Sequence, residues 1–131
     1  MTEAGPAESS HRAFRLARRA QADIASILKT SAETWGDEAK RRYAGLLTRA
    51  IRQVAADPEG RATRACTELA PGLRSLHVRG VRQADRGTGV RRPVHMVYYR
   101  PIQPGLVEIV RILHERMEPS RYLSTAAESE R

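Results

Sequence analysis

The sequence of 131 residues predicts one α+β domain in the order β-α-α-β-β-β, a helical hairpin packed on a small antiparallel sheet. Three observations carry this. A short alternating run, Ala13–Arg18, opens the pattern; two stretches of helical periodicity follow between Ala20 and Val54; three runs rich in β-branched and aromatic residues lie between Leu73 and Leu113. The apolar content is concentrated in the same region, since of 25 Leu, Ile, Val and Phe residues all but Leu123 fall between Phe14 and Leu113. The domain is therefore expected over 13–123, with disordered tails at 1–12 and 124–131.

In the first run Phe14 and Leu16 share one side and Arg15 takes the other, as in a half-buried strand. Ala20, Ile24, Ile27, Leu28 and Trp35 then fall on one helical face, with Asp23 placed in the first turn, where the helix dipole favours negative charge. Gly36 ends this helix and Asp37 is positioned to cap the next. Ala39, Tyr43, Leu46, Leu47, Ala50, Ile51 and Val54 form a continuous apolar stripe, while Arg41, Arg42, Arg49 and Arg52 line a solvated face. Asp57-Pro58-Glu59-Gly60 terminates the second helix. Pro71-Gly72 opens a strand over Leu73–Arg79, with Leu76 and Val78 on one side. Residues 80–93, carrying three Gly and four Arg, read as a mobile basic loop. Val94–Arg100 is a strand, Pro101–Gly105 a turn, and Leu106–Leu113 a strand apolar on both faces except at Glu108 and Arg111, hence interior to the sheet. The first strand is expected to join this meander, because alone it leaves its backbone groups unpaired.

Several classes are excluded. No apolar run is long enough to span a bilayer. Met1–Ser10 has neither a basic nor an apolar segment of a secretion signal, and the single Cys66 makes neither an internal disulfide nor a cysteine-based zinc site. A reducing cytoplasm is the expected setting. The net charge is +8, carried by 21 Arg and two Lys, and is uneven: residues 61–122 hold twelve basic and five acidic side chains. Arginine grips carboxylate and phosphate bidentately, so an anionic partner, nucleic acid or acidic protein, is indicated alongside simple surface charge.

There is no phosphate loop, dinucleotide fingerprint, metalloprotease motif or nucleophile elbow. His77, His95 and His114 each sit on or just past a strand and approach one face or edge of the sheet. No spacing supports a metal or other cofactor there. Acid–base work beside arginine is one reading, and half-exposed histidines bonded to local partners the favoured one. Arg111, a guanidinium in an apolar strand, needs a partner; Glu68, Glu108 and Glu115 are the carboxylates considered. Trp35 and Tyr43 read as core. Tyr98 and Tyr99 point to opposite faces, leaving one available to a partner.

Ala22-Asp23-Ile24, Trp35-Gly36, Leu69-Ala70-Pro71-Gly72-Leu73-Arg74, His95-Met96-Val97-Tyr98-Tyr99-Arg100 and Glu108-Ile109-Val110-Arg111-Ile112-Leu113-His114-Glu115-Arg116-Met117, in that order, resemble the ParE branch of the ParE/RelE toxin superfamily. The resemblance implies the RelE/ParE-like fold and a toxin of a type II toxin–antitoxin pair, of the kind linked to plasmid stabilisation. It would act on DNA gyrase by stabilising its cleaved complex with DNA, and be held in a hetero-oligomer by a ParD-like antitoxin. The alternative it implies is a RelE-like ribosome-dependent mRNA endonuclease using Arg79, Arg111 and His114. A binding protein is favoured over an enzyme, with antitoxin or target contacts expected at Arg74, His77, His95, Tyr99, Arg100, Arg111, His114, Arg116 and Met117.

Overall fold

The computed structural model describes residues 13–81 and 92–123, so both expected tails and most of the expected basic loop lie outside the described residues. The elements are β1 (Ala13–Leu16), α1 (Arg18–Trp35), α2 (Asp37–Ala56), β2 (Thr63–Ala65), β3 (Arg74–His77), β4 (His95–Gln103) and β5 (Leu106–His114). A single 3₁₀ turn, Val78–Gly80, follows β3 where the sequence predicted more strand, and residues 119–123 form a short helical turn.

The five strands order as β1-β5-β4-β3-β2. β5 is interior as expected, flanked by β1 and β4. The sheet is mixed, because β1 pairs parallel to β5 (Phe14 opposite Val107) while the other pairings are antiparallel. The reason is topological. The helical hairpin returns the chain to the end from which β1 starts, so β3 runs the same way as β1, and two reversals later β5 does too. β2 was not predicted: three residues are too few to show a period, and only pairing with β3 makes them a strand. β4 continues through Pro101, where a turn was expected, with a register irregularity between Pro101 and Gln103; the reversal itself is confined to Pro104 and Gly105, the latter at φ 83°.

The helical stripes pack as predicted. Leu46, Leu47, Ala50, Ile51 and Val54 bury against Leu76, Val97, Tyr99 and Ile109 on one sheet face. A smaller core, Cys66, Leu73, Tyr98, Val110, Leu113 and Leu123, fills the other face. Residues 66–73 and 117–123 supply that second cover, so Tyr98 and Tyr99 are both buried and the expectation that one stays available does not hold.

Asp23 is the sixth residue of α1 rather than part of its first turn. From there its carboxylate accepts Arg111 Nε and Nη2, each at 2.9 Å, and the Ile112 amide at 2.9 Å. Arg111 therefore finds Asp23, 88 positions away, and none of the three glutamates considered. At the hairpin tip Gly36, at φ 95°, makes the joint, while Asp37 is the first residue of α2 and offers its charge to the dipole without capping through its side chain.

The helical layer is displaced along the sheet. Tyr43 stands over His95 at one end, and Ala55 lies beside Pro101 and Val107 at the other. The six residues of α2 before Tyr43 carry the hairpin tip roughly 9 Å past the sheet at 1.5 Å per residue. Trp35 sits on that overhang and is 76% exposed, so it is not core: no strand lies beneath it. Among the described residues no helix is long and apolar enough to cross a membrane.

Asp23→Ala is expected to destabilise the protein by about 3–5 kcal/mol, because it leaves a largely buried guanidinium without its carboxylate. Trp35→Ser, by contrast, is expected to shift stability by no more than about 0.5 kcal/mol. Urea denaturation of both variants checks the contrast.

Candidate functional site

The chemistry-bearing side chains gather where β3 ends, β4 begins and β5 ends. Antiparallel register sets His95 directly opposite His114, and their rings meet edge to face at 5.6 Å between centroids. α2 brings Tyr43 onto this pair. Its hydroxyl shares a 2.7 Å hydrogen bond with His95 Nδ1 and also accepts the Val94 amide at 3.4 Å, which leaves the phenolic proton for the imidazole. Two local turns fix the other rings: the Arg79 amide donates to His77 Nδ1 at 3.1 Å, and the Arg116 amide to His114 Nδ1 at 3.0 Å. With its Nδ1 accepting, His77 presents Nε2 to Glu115, 2.7 Å away.

Burial and crowding tune the group. Desolvation, helped by the positive charge that His114 and His77 can carry, pushes His95 down to about 4, although Asp23 and Glu115 oppose the shift. Desolvation raises Tyr43, and the hydrogen bond from His77 holds the Glu115 carboxyl below the usual carboxylate range. His95 is thus an uncharged imidazole at neutral pH, hydrogen-bonded to a protonated phenol. Arg79 and Arg116 are exposed on the rim. The end of the sheet consequently offers cationic forks around a core of uncharged rings. Among the described residues no group of three or more His, Cys, Asp or Glu is arranged to hold a metal.

The structure thus brings together His77, His95, His114, Arg116 and Arg79. The other sequence-derived candidates lie elsewhere. Arg100 donates to Glu108 Oε1 through Nε and Nη2 at 3.1 and 2.8 Å, on the sheet face away from the helices, where Arg15 reaches the same carboxylate at 3.4 Å. Arg74 joins β3 to the loop after α2, donating to the Pro58 carbonyl and to Thr63 Oγ1, each at 2.9 Å. Tyr99 has no exposed surface and donates its hydroxyl to the same Pro58 carbonyl, so it is a core residue and not a contact. Arg111 is held by Asp23, which keeps its guanidinium charged and directed into the fold. Met117 packs on the second core, its sulfur accepting the His114 amide at 3.3 Å.

Sequence reasoning missed Tyr43 as a member of the cluster and Glu115 as the partner of His77. For Tyr43 a signal existed: a phenol inside an aliphatic helical stripe has a hydroxyl that needs a partner. For Glu115 there was none, since His77 lies 38 positions away.

A family model described as the ParE toxin of type II toxin-antitoxin system, parDE, matches residues 14–119. The chain is 33% identical over 110 residues to Toxin ParE1 of Mycobacterium tuberculosis, covering 84% of this chain and 96% of that one. It is 32% identical over 111 residues to Toxin ParE1 of Caulobacter vibrioides, with the same coverage. Among solved structures, the chromosomal ParDE TA system from P. aeruginosa contains a chain that superposes with TM-score 0.59 at 17% identity, covering 80% of this chain and 97% of that one, a likeness of fold.

Folded stability is expected to fall as pH drops from 6.5 to 4. Over that window the unfolded chain takes up a proton on His95 that the folded chain refuses, whereas above 6.5 both states leave the ring uncharged. Denaturant titrations across pH 4–8 check this, and His95→Gln is expected to flatten that limb.

Proposed function

The chain belongs to the ParE family of toxins from type II toxin–antitoxin systems, and from that premise we propose that it arrests growth by binding DNA gyrase, trapping its cleaved complex with DNA, and is neutralised in the cytoplasm by a ParD-like antitoxin. The reading is of a binding protein. One observation carries it: of Arg79, Arg111 and His114, the residues of the endonuclease alternative, Arg111 is held inside the fold, and the two neighbouring histidines have partners of their own. Arg111 is clamped by Asp23, His95 is bonded to Tyr43, and His77 faces Glu115. General acid–base catalysis asks for a group poised to trade a proton near neutral pH, and His95 is displaced from that range by burial.

What the end of the sheet offers instead is a surface. Arg79 and Arg116 stand exposed around half-buried His114, and the helical tip with Trp35 projects beyond them. A cationic rim and, on the helical tip, an exposed indole suit a target complexed with DNA, where phosphates draw the arginines and the aromatic ring supplies contact area at low entropic cost. The antitoxin contribution in this reading is coupled folding of a segment onto the toxin.

Purified protein is expected to inhibit gyrase supercoiling and accumulate cleaved DNA, with Arg116→Glu weakening inhibition at least about tenfold because it reverses charge on the rim. Parallel supercoiling and cell-free translation assays check this. Cleaved mRNA in ribosomes with supercoiling untouched would establish the endonuclease alternative instead, and His114→Ala would then abolish the cutting.

A further inference from the structure

The three histidines at the end of the sheet share one tautomer. His77 Nδ1 accepts the Arg79 amide and His114 Nδ1 accepts the Arg116 amide. His95 Nδ1 faces the Tyr43 hydroxyl, whose oxygen already accepts the Val94 amide. A backbone amide only donates, so each of these ring nitrogens is an acceptor and each ring carries its proton on Nε2. What the three Nε2–H groups meet then differs. That of His77 is directed to Glu115, 2.7 Å away. Those of His95 and His114 meet no acceptor among the described residues, although both rings are half-buried and stand edge to face at 5.6 Å. Polar hydrogens so placed are ordinarily bonded, and this pair is short of an acceptor.

The surrounding charges select an anionic acceptor. The two carboxylates near the rings are engaged: Glu115 accepts from His77, with Arg79 in electrostatic reach, and Asp23 holds Arg111. Arg79, Arg92 and Arg116 are exposed at this end, Arg92 two residues before Val94, whose carbonyl accepts the Glu115 amide. We propose that the Nε2–H groups of His114 and His95, rimmed by Arg79 and Arg116, form a binding site for a phosphodiester oxygen of DNA. Donors of this kind hold a phosphate by direct hydrogen bonds, while the guanidiniums supply the attraction. Tyr43 is a positioning residue, since its hydroxyl holds the tautomer of His95. The inference rests on the gyrase reading above for the source of the phosphate, and it adds two imidazole donors to the arginine rim.

Heteronuclear NMR of the imidazole nitrogens in the full-length toxin reads the tautomers at neutral pH, with and without a short DNA duplex at low salt. All three rings are expected in the Nε2–H form, and the His95 and His114 Nε2 signals are expected to move on adding duplex while that of His77 stays. His114→Ala is expected to weaken duplex binding at least about threefold, and gyrase inhibition with it. His114→Gln, which keeps an N–H donor at the same charge as alanine, is expected to lose less. Tyr43→Phe is expected to release the His95 tautomer, a change that a purely structural role for the phenol does not produce. An Nδ1–H form at His114, or Nε2 signals that stay in place with duplex, overturns the proposal; so does a His114→Ala toxin that binds duplex and inhibits gyrase as the unaltered one does. Movement with RNA of the same length and none with duplex overturns it too. The measurement on the unaltered chain decides the matter even where a variant fails to fold. Because the titration contains no gyrase, an unaltered toxin that leaves supercoiling untouched removes the proposed target, and the duplex titration still decides the site.

Discussion

Asp23 meets Arg111 and the Ile112 amide in a three-bond junction between α1 and β5, and the remaining architecture is referenced to it. A bidentate carboxylate–guanidinium pair tolerates little sliding, so it fixes how far along the sheet the helical layer sits. Set there, the hairpin carries Tyr43 over His95, leaves Trp35 projecting past the strands, and uncovers the sheet beyond Ala56. A displacement of one helical turn, about 5.4 Å, would alter all three at once. The pair's contribution to net stability is modest against its desolvation, and its larger effect is positional.

Several arginines of this strongly cationic protein are paired with carboxylates. Arg111 is neutralised by Asp23, Arg100 and Arg15 share Glu108, and Arg41 and Arg42 share Glu38 along the exposed face of α2. Glu108, 3% exposed between two guanidiniums, shows the logic: a buried carboxylate is admitted only with its charge compensated and its oxygens bonded. Arg79 and Arg116 are exposed at the histidine end of the sheet, and the carboxylates Asp57 and Glu59 stand at the other end, followed by the exposed Arg61.

The histidines illustrate how placement outranks composition. His77, His95 and His114 are separated by 18 and 19 positions, yet two strand reversals and a one-to-one register bring them to one edge. Once there, they are not equivalent. His77 is bonded to a carboxylate and His95 to a phenol beneath a helix, where burial drives His95 down to about 4. Electrostatic identity is conferred by neighbours that are remote in the chain.

Local periodicity made much of the fold legible. The stripe from Tyr43 to Val54, the alternation at Phe14 and Leu16, and the two-sided apolar run of β5 each announce an element and its buried side, because packing on a face imposes a period on consecutive residues. The ordered segments from Ala22 to Met117 likewise pointed to the family later matched over 14–119. What a period cannot encode is which distant element meets which. β2 exists only through pairing with β3, Tyr98 is buried because a second cover closes over the far face, and Arg111 chose Asp23 over nearer glutamates because α1 crosses β5 at that level. Sequence alone thus determined the elements, their order and their inward faces, which depend on neighbours within a few residues. Tertiary structure decided the partners, the offset of the layers and the two ends it exposes, since these arise from contacts tens of positions apart that leave no local trace.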